Sequence, residues 1–302
     1  MPPEVANADL LGPAIEQVAA EVDALFEALL PVPDDGRARL FEAMRHSAIG
    51  GGKRMRPLLA VAAADLFAVP RAQALRAGLA AECIHVYSLV HDDLPCMDDD
   101  DMRRGKPTAH KAYGEAAAVL AGDSLHALAF EVLADEATHA DARVRVELIR
   151  ALAHAAGPAG MAGGQMMDLD ANGAGLDLAA VTRLQQMKTG ALIAFCLEAG
   201  AILGRASAGA HTALRGYAHD LGLAFQIADD LLDVGGDEAK TGKRVGKDEA
   251  AGKATFVSLL GREAAERQAA LLADQAIQHL ASFGPQADLL RAVARYAVER
   301  DR

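Results

Sequence analysis

Three observations in the sequence predict an all-α fold, a large single-domain helical bundle spanning residues 1–302. Hydrophobic residues make up 52 % of the chain, yet aromatics only 4 %, and Trp is absent. The apolar content is largely Ala and Leu, strong helix formers; a sheet would be richer in β-branched and aromatic residues. Gly and Pro divide the chain into Ala/Leu-rich stretches of helical length, without a convincing alternation of apolar and polar residues. No internal repeat, low-complexity linker or charge-rich hinge argues for a second domain.

Taken in chain order, the opening Met1-Pro2-Pro3-Glu4 lacks the basic and apolar regions of a signal peptide. Gly50-Gly51-Gly52-Lys53-Arg54-Met55-Arg56-Pro57 is a loop before a helix. Glycines let backbone approach a ligand closely, and Lys53 and Arg56 add positive charge, Arg forks matching phosphate oxygens. The GxxxxGK[ST] pattern of a nucleotide loop is missing, and alone the segment also reads as an ordinary basic loop. Leu75, Leu79, Cys83 and Val86 recur at helical spacing and predict a helix from about Arg71 to His91. Pro95 disfavours helical geometry at Leu94, so that helix ends or bends there.

Past that end run His91-Asp92-Asp93-Leu94-Pro95-Cys96-Met97-Asp98-Asp99-Asp100-Asp101, six carboxylates within ten residues. Negative charge at a helix C-terminus meets the dipole with the wrong sign. Bound cations offset that cost, and carboxylate oxygens suit magnesium. Taken alone, the run also reads as a solvated acidic loop. An EF-hand is excluded by the missing Gly and Glu.

The apolar stretch from Gly190 to Gly204 is broken by Glu198 and falls short of the ~20 residues of a membrane span. Residues 217–234 are apolar on almost every side, as in a helix inside a bundle. That stretch contains Gln226, Asp229, Asp230 and Asp233. Asp229 and Asp233 share one helix face, with Gln226 on the same side. Carboxylates in an apolar helix are costly to bury without partners, although a surface pair is the alternative. Two such clusters facing each other would hold several metal ions, as a diphosphate site requires. Basic residues follow: Arg103-Arg104 after the first cluster, Lys188-Thr189 between the two, and Lys243, Lys247 and Lys253 after the second.

The formal net charge of −12 argues against nucleic-acid binding. It leaves phosphate ligands open, because divalent metals invert the local sign. The three cysteines, Cys83, Cys96 and Cys196, form no CxxC pair and are odd in number, so neither a disulfide framework nor structural zinc is expected. These features together predict a cytoplasmic protein.

GGKRMRP, HDDLPCMDDDDMRRGKPTAH, GEAAAVLAGDSL, GGQMMD, MKTG and FQIADDLLD, in that order, resemble the trans-prenyl diphosphate synthases, specifically the bacterial farnesyl diphosphate synthase type. The resemblance runs from about Ala48 to the C-terminus. It implies an isoprenoid-synthase bundle around a deep central cavity, usually a homodimer. It implies Asp92 and Asp98 as metal ligands with Asp93 supporting, and Asp229 with Asp233 supporting. Three magnesium ions are typical, and manganese is also accepted by oxygen ligands. Arg103, Lys188, Thr189, Gln226, Lys243 and Lys253 match positions that hold the allylic diphosphate. Lys53, Arg56, His85 and Arg104 match the isopentenyl diphosphate site, and Lys247 is a variable position.

The implied reaction is ionisation of the allylic diphosphate, attack by the double bond of isopentenyl diphosphate, and proton loss to the departing diphosphate. Tyr87 and Ser88 lie roughly 6–8 Å down the helix from Asp92 at ~1.5 Å per residue. The resemblance makes Tyr87 the pocket floor that stops growth at fifteen carbons; a buried aromatic with a satisfied hydroxyl is the alternative. Geranyl and geranylgeranyl diphosphate synthases, terpene cyclases and non-catalytic partner subunits are the rival readings.

Overall fold

A computed structural model describes residues 3–171, 175–235 and 254–299. Lys243, Lys247 and Lys253 lie outside the described residues, as does the C-terminal Arg300-Asp301-Arg302. In chain order the elements are α1 (Pro3–Leu29), α2 (Ala38–Ala48), α3 (Met55–Asp65), α4 (Arg71–Asp92), β1 (Met102–Arg103), β2 (Lys106–Pro107), α5 (Ala109–Tyr113), α6 (Glu115–Ala134), α7 (Ala142–Ala156), α8 (Met161–Asp170), α9 (Leu178–Gln185), a π-helical turn (Gln186–Gly190), α10 (Ala191–Leu203), α11 (Ala208–Gly235), α12 (Phe256–Leu260), α13 (Arg262–His279), a 3-10 turn (Pro285–Ala287) and α14 (Asp288–Glu299). The all-α expectation holds. Among the described residues the exception is an antiparallel pair in which Met102 faces Pro107 and Arg103 faces Lys106, too short to leave an alternating pattern.

These residues fall into two compact units, one of Gly12–Val61 with Pro70–Ile149, the other of Met1–Leu11 with Ala62–Val69 and Arg150–Arg302. In the first, α4 packs along α6. The predicted periodicity is realised: Leu75, Leu79, Cys83 and Val86 are all buried, and so are Ala77, Ala80, Ala81 and Ile84. Burial of one such leucine contributes about 1.5–3 kcal/mol. Helix α4 stops at Asp92, as Pro95 requires, and the Asp93 N–H closes the last turn on the Leu89 carbonyl at 3.1 Å. Gly122 of α6 leaves room for His91, whose Nε2 would stand 2.1 Å from a Cβ there.

In the second unit, α11 packs against α13. Val181, Leu223, Ala224, Ile227, Phe256, Val257 and Leu272 form a buried cluster on the inner face of α11. The Tyr217 hydroxyl, fully buried, donates to the Leu290 carbonyl at 2.7 Å. Helix α12 opens on a capping box, the Thr255 hydroxyl accepting from the Ser258 N–H at 3.1 Å. Two stretches, Glu115–Ala134 and Leu178–Leu203, reach membrane-spanning length and apolarity, with 44 % and 56 % of their apolar windows buried within the protein. The second is longer than the sequence suggests, because the π turn carries the helix on through Gly190.

Candidate active site

The first aspartate cluster folds back on the end of α4. The Asp98 N–H donates to the Asp92 carbonyl at 2.8 Å, and the Met97 and Asp99 N–H groups both reach the Leu94 carbonyl. Residues 92 and 98 are therefore backbone neighbours, although six positions apart. Asp92 is half-buried and Asp98 exposed. Asp93 is buried, and Arg103 Nε reaches both of its carboxylate oxygens, at 2.7 and 2.9 Å. Burial pushes the Asp93 carboxyl upward, against the pull of Arg103. Desolvation disfavours the Arg103 charge, but the bonds to Asp93 outweigh it and raise its pKa.

The glycine loop and Arg104 come together in the same unit. Gly52 stands at φ +79°, where a side chain is strained, and a Cβ there would lie 2.8 Å from the Arg104 guanidinium. Arg54 sits at φ 48° and is buried. Its guanidinium meets Glu82 at 2.8 Å, Asp23 at 2.6 Å and the Ala48 carbonyl. Burial works against its charge, but Glu82 and Asp23 prevail and raise its pKa. Lys53 is exposed and Arg56 half-buried. Arg56 Nε is buried with no hydrogen-bond partner among the described residues. Half-buried His85 is pushed well below the ordinary imidazole range, first by burial, then by Arg56, Arg104, Arg103 and Arg54. It is neutral near pH 7.

In the other unit, Asp229 is exposed, Asp233 half-buried and Asp230 buried. Asp230 accepts from the Phe256 N–H at 2.7 Å and so anchors the start of α12. Gln226 donates to Gln185 at 2.7 Å. Lys188 and Thr189 lie in the π turn, a distortion frequent at functional sites. Lys188 Nζ meets Asp168 at 2.7 Å. Asp168, Glu82, Asp23 and Gln185 are partners that no motif spacing singles out. Asp168 lies in GGQMMD, whereas Glu82, Asp23 and Gln185 lie in no such motif.

Tyr87 packs edge-on against His126, centroids 5.0 Å apart, and against His91 at 5.7 Å. Burial, then Asp92, raises its hydroxyl pKa. Ser88 donates to the His85 carbonyl at 2.8 Å. Carboxylates of Asp99 and Asp101 also approach His110.

The polyprenyl synthetase family model matches residues 37–289. The chain belongs to this family. The farnesyl diphosphate synthase of Escherichia coli is 45 % identical over 284 residues, which is 92 % of this chain and 95 % of that protein. That of Bacillus subtilis is 41 % identical over 273 residues, 90 % and 91 % of the two chains. Among solved structures, an FPP/GFPP synthase from Zymomonas mobilis is 59 % identical, covers 95 % of this chain and 98 % of its own, and superposes with a TM-score of 0.88. Trans-isoprenyl synthases depend on divalent metal, and the oxygen donors of both acidic motifs are of the type such hard ions take.

Proposed function

We propose that this polyprenyl synthetase is a farnesyl diphosphate synthase, which joins isopentenyl diphosphate to dimethylallyl and then geranyl diphosphate. The observation that carries the reading is the pair Arg56 and Arg104 beside His85, each disfavouring the other's charge, with Arg56 Nε buried and without a hydrogen-bond partner among the described residues, whereas Arg54 and Arg103 are already held by Glu82, Asp23 and Asp93. Like charges gathered this way call for an anion. A terpene cyclase, acting on one diphosphate, has no use for such a cluster in addition to two aspartate motifs. A non-catalytic subunit has no use for either motif.

In this reading Asp92, Asp98 and Asp229 carry magnesium, with Asp93 and Asp233 in support and three ions per site. The carboxylate donors fit a hard divalent ion, manganese included. When bound, the metal neutralises charge on the leaving diphosphate. Arg103 and Lys188 add to that neutralisation, with Thr189, Gln226, Lys243 and Lys253 on the same substrate. Asp93 and Asp168 keep Arg103 and Lys188 positioned by ion pairs. Lys53, Arg56, His85 and Arg104 hold isopentenyl diphosphate. Neutral His85 offers a hydrogen bond without adding to the charge already crowded there. The Thr189 hydroxyl and the carbonyl groups near it shield the allylic cation until the isopentenyl double bond attacks. The proton then passes to the departing diphosphate. Tyr87 and Ser88 limit chain length. One domain over residues 1–302, a homodimer and a cytoplasmic location complete the proposal.

Steady-state kinetics of Arg56→Ala test the assignment of two diphosphates. The Michaelis constant for isopentenyl diphosphate rises at least tenfold while that for geranyl diphosphate stays within about twofold, from the loss of one charge-assisted contact of about 1.5–3 kcal/mol. Equal effects on both substrates, or wild-type protein that consumes no isopentenyl diphosphate, refute the reading.

A further inference from the structure

Beside the acidic loop lies a second group of ligand atoms that the proposed diphosphate chemistry does not use. Carboxylate oxygens of Asp99 and Asp101 and one imidazole nitrogen of His110 all lie within 4.8 Å of one another. His110 is only 6 % exposed. Its Nδ1 is 3.0 Å from the buried Thr108 hydroxyl. Its Nε2 is buried and has no hydrogen-bond partner among the described residues. A buried imidazole nitrogen left unpaired is unfavourable, and so are two carboxylates side by side. A single cation relieves both.

The donor set selects the kind of ion. Magnesium prefers oxygen and water. An imidazole with two carboxylates suits a first-row transition ion, zinc foremost. Ligand atoms around a tetrahedral zinc ion stand about 3.4 Å apart, given bonds of about 2.1 Å. The cluster therefore has to contract by at most about 1.4 Å, which the exposed carboxylates of Asp99 and Asp101 can supply by rotating. Thr108 provides the outer hydrogen bond that fixes a metal-binding imidazole. Lys111 Nζ lies 2.7 Å from Asp101 Oδ1. The Lys111 ammonium is therefore the built-in competitor of a metal ion at Asp101.

We propose that Asp99, Asp101 and His110 form a transition-metal site of zinc-binding character, separate from Asp92, Asp98, Asp229 and Asp233. Its place in the chain gives it a role. It ties the acidic loop to α5 across the hairpin that carries Arg103, and so braces that arginine beside Asp93.

Cobalt(II) serves as the probe, titrated into the full-length protein without substrate and with magnesium in large excess to occupy carboxylate-only sites. The expected result is one retained cobalt per chain, with the visible absorption of a nitrogen-containing low-coordinate site, displaced by zinc. Asp99→Asn and His110→Gln each weaken binding at least tenfold, Asp92→Asn leaves it unchanged, and Lys111→Met tightens it severalfold. Because Asp99 is exposed, Asp99→Asn decides the question even if His110→Gln does not fold. Absence of cobalt binding under magnesium excess overturns the proposal. So does binding lost in Asp92→Asn and kept in Asp99→Asn.

Discussion

Replacing Glu82 by alanine strands the Arg54 guanidinium inside the protein. The Arg54 side chain is 1 % exposed and that of Glu82 2 %, with 2.8 Å between their charged atoms. Removing one partner of a buried pair costs about 3–5 kcal/mol, because the remaining charge is left without compensation. Here Asp23, 29 % exposed and 2.6 Å away, still faces Arg54, which places Glu82→Ala at the low end, about 3 kcal/mol. At about 2 °C per kcal/mol for a chain of this size, the melting midpoint falls by about 6 °C. Asp23→Ala leaves the more deeply buried partner in place and costs about 1 kcal/mol. Arg54 also lies between Lys53 and Arg56, so Glu82→Ala raises the Michaelis constant for isopentenyl diphosphate as well as lowering stability. Thermal and urea unfolding of the two variants, beside Glu82→Gln, test this. A loss under about 1 kcal/mol for Glu82→Ala, or a larger loss for Asp23→Ala, refutes the reasoning.

Three further outcomes are expected. Asp168→Asn removes the carboxylate that holds Lys188 at 2.7 Å and lowers kcat/KM for the allylic substrate about tenfold or more, at roughly 1.5–3 kcal/mol per charge-assisted bond; steady-state kinetics with unchanged circular dichroism check it. Tyr87→Ala lengthens the product, read by mass analysis, and an unchanged product profile sinks the pocket-floor assignment. His85 has a folded-state pKa well below its unfolded value near 6.5; the unfolded chain therefore binds the extra proton, and this contribution to stability is present above about pH 6.5 and lost as pH falls below it. His85→Gln flattens the slope of melting midpoint against pH between about 5 and 7; an unaltered slope contradicts the assignment.

The break after Asp92 is legible because a proline three residues on leaves the chain little choice, and the core face of α4 because its apolar spacing is regular. The backbone contact between Asp92 and Asp98 is not legible: it depends on how residues 93–97 fold back, which no propensity specifies. Lys188 and Thr189 stand out as residue types, but the π turn that presents them has no sequence signature separate from an ordinary helix. The partners that hold the site are the least legible part. Glu82 lies 28 residues from Arg54, Asp168 lies 20 from Lys188, and Phe256 lies 26 from Asp230. Each pairing is set by tertiary packing. The acidic run itself divides into different jobs that the sequence presents as one: Asp93 buried under Arg103, Asp98 exposed, and Asp99 and Asp101 turned toward His110.

Product chain length is the most direct test of the central claim. Purified protein is incubated with magnesium, isopentenyl diphosphate and, separately, dimethylallyl or geranyl diphosphate, and the product is measured by mass. The account predicts a fifteen-carbon product from both allylic substrates, abolished by chelator. A product stopping at another length would contradict the farnesyl assignment, and no condensation with either allylic substrate would contradict the synthase reading itself.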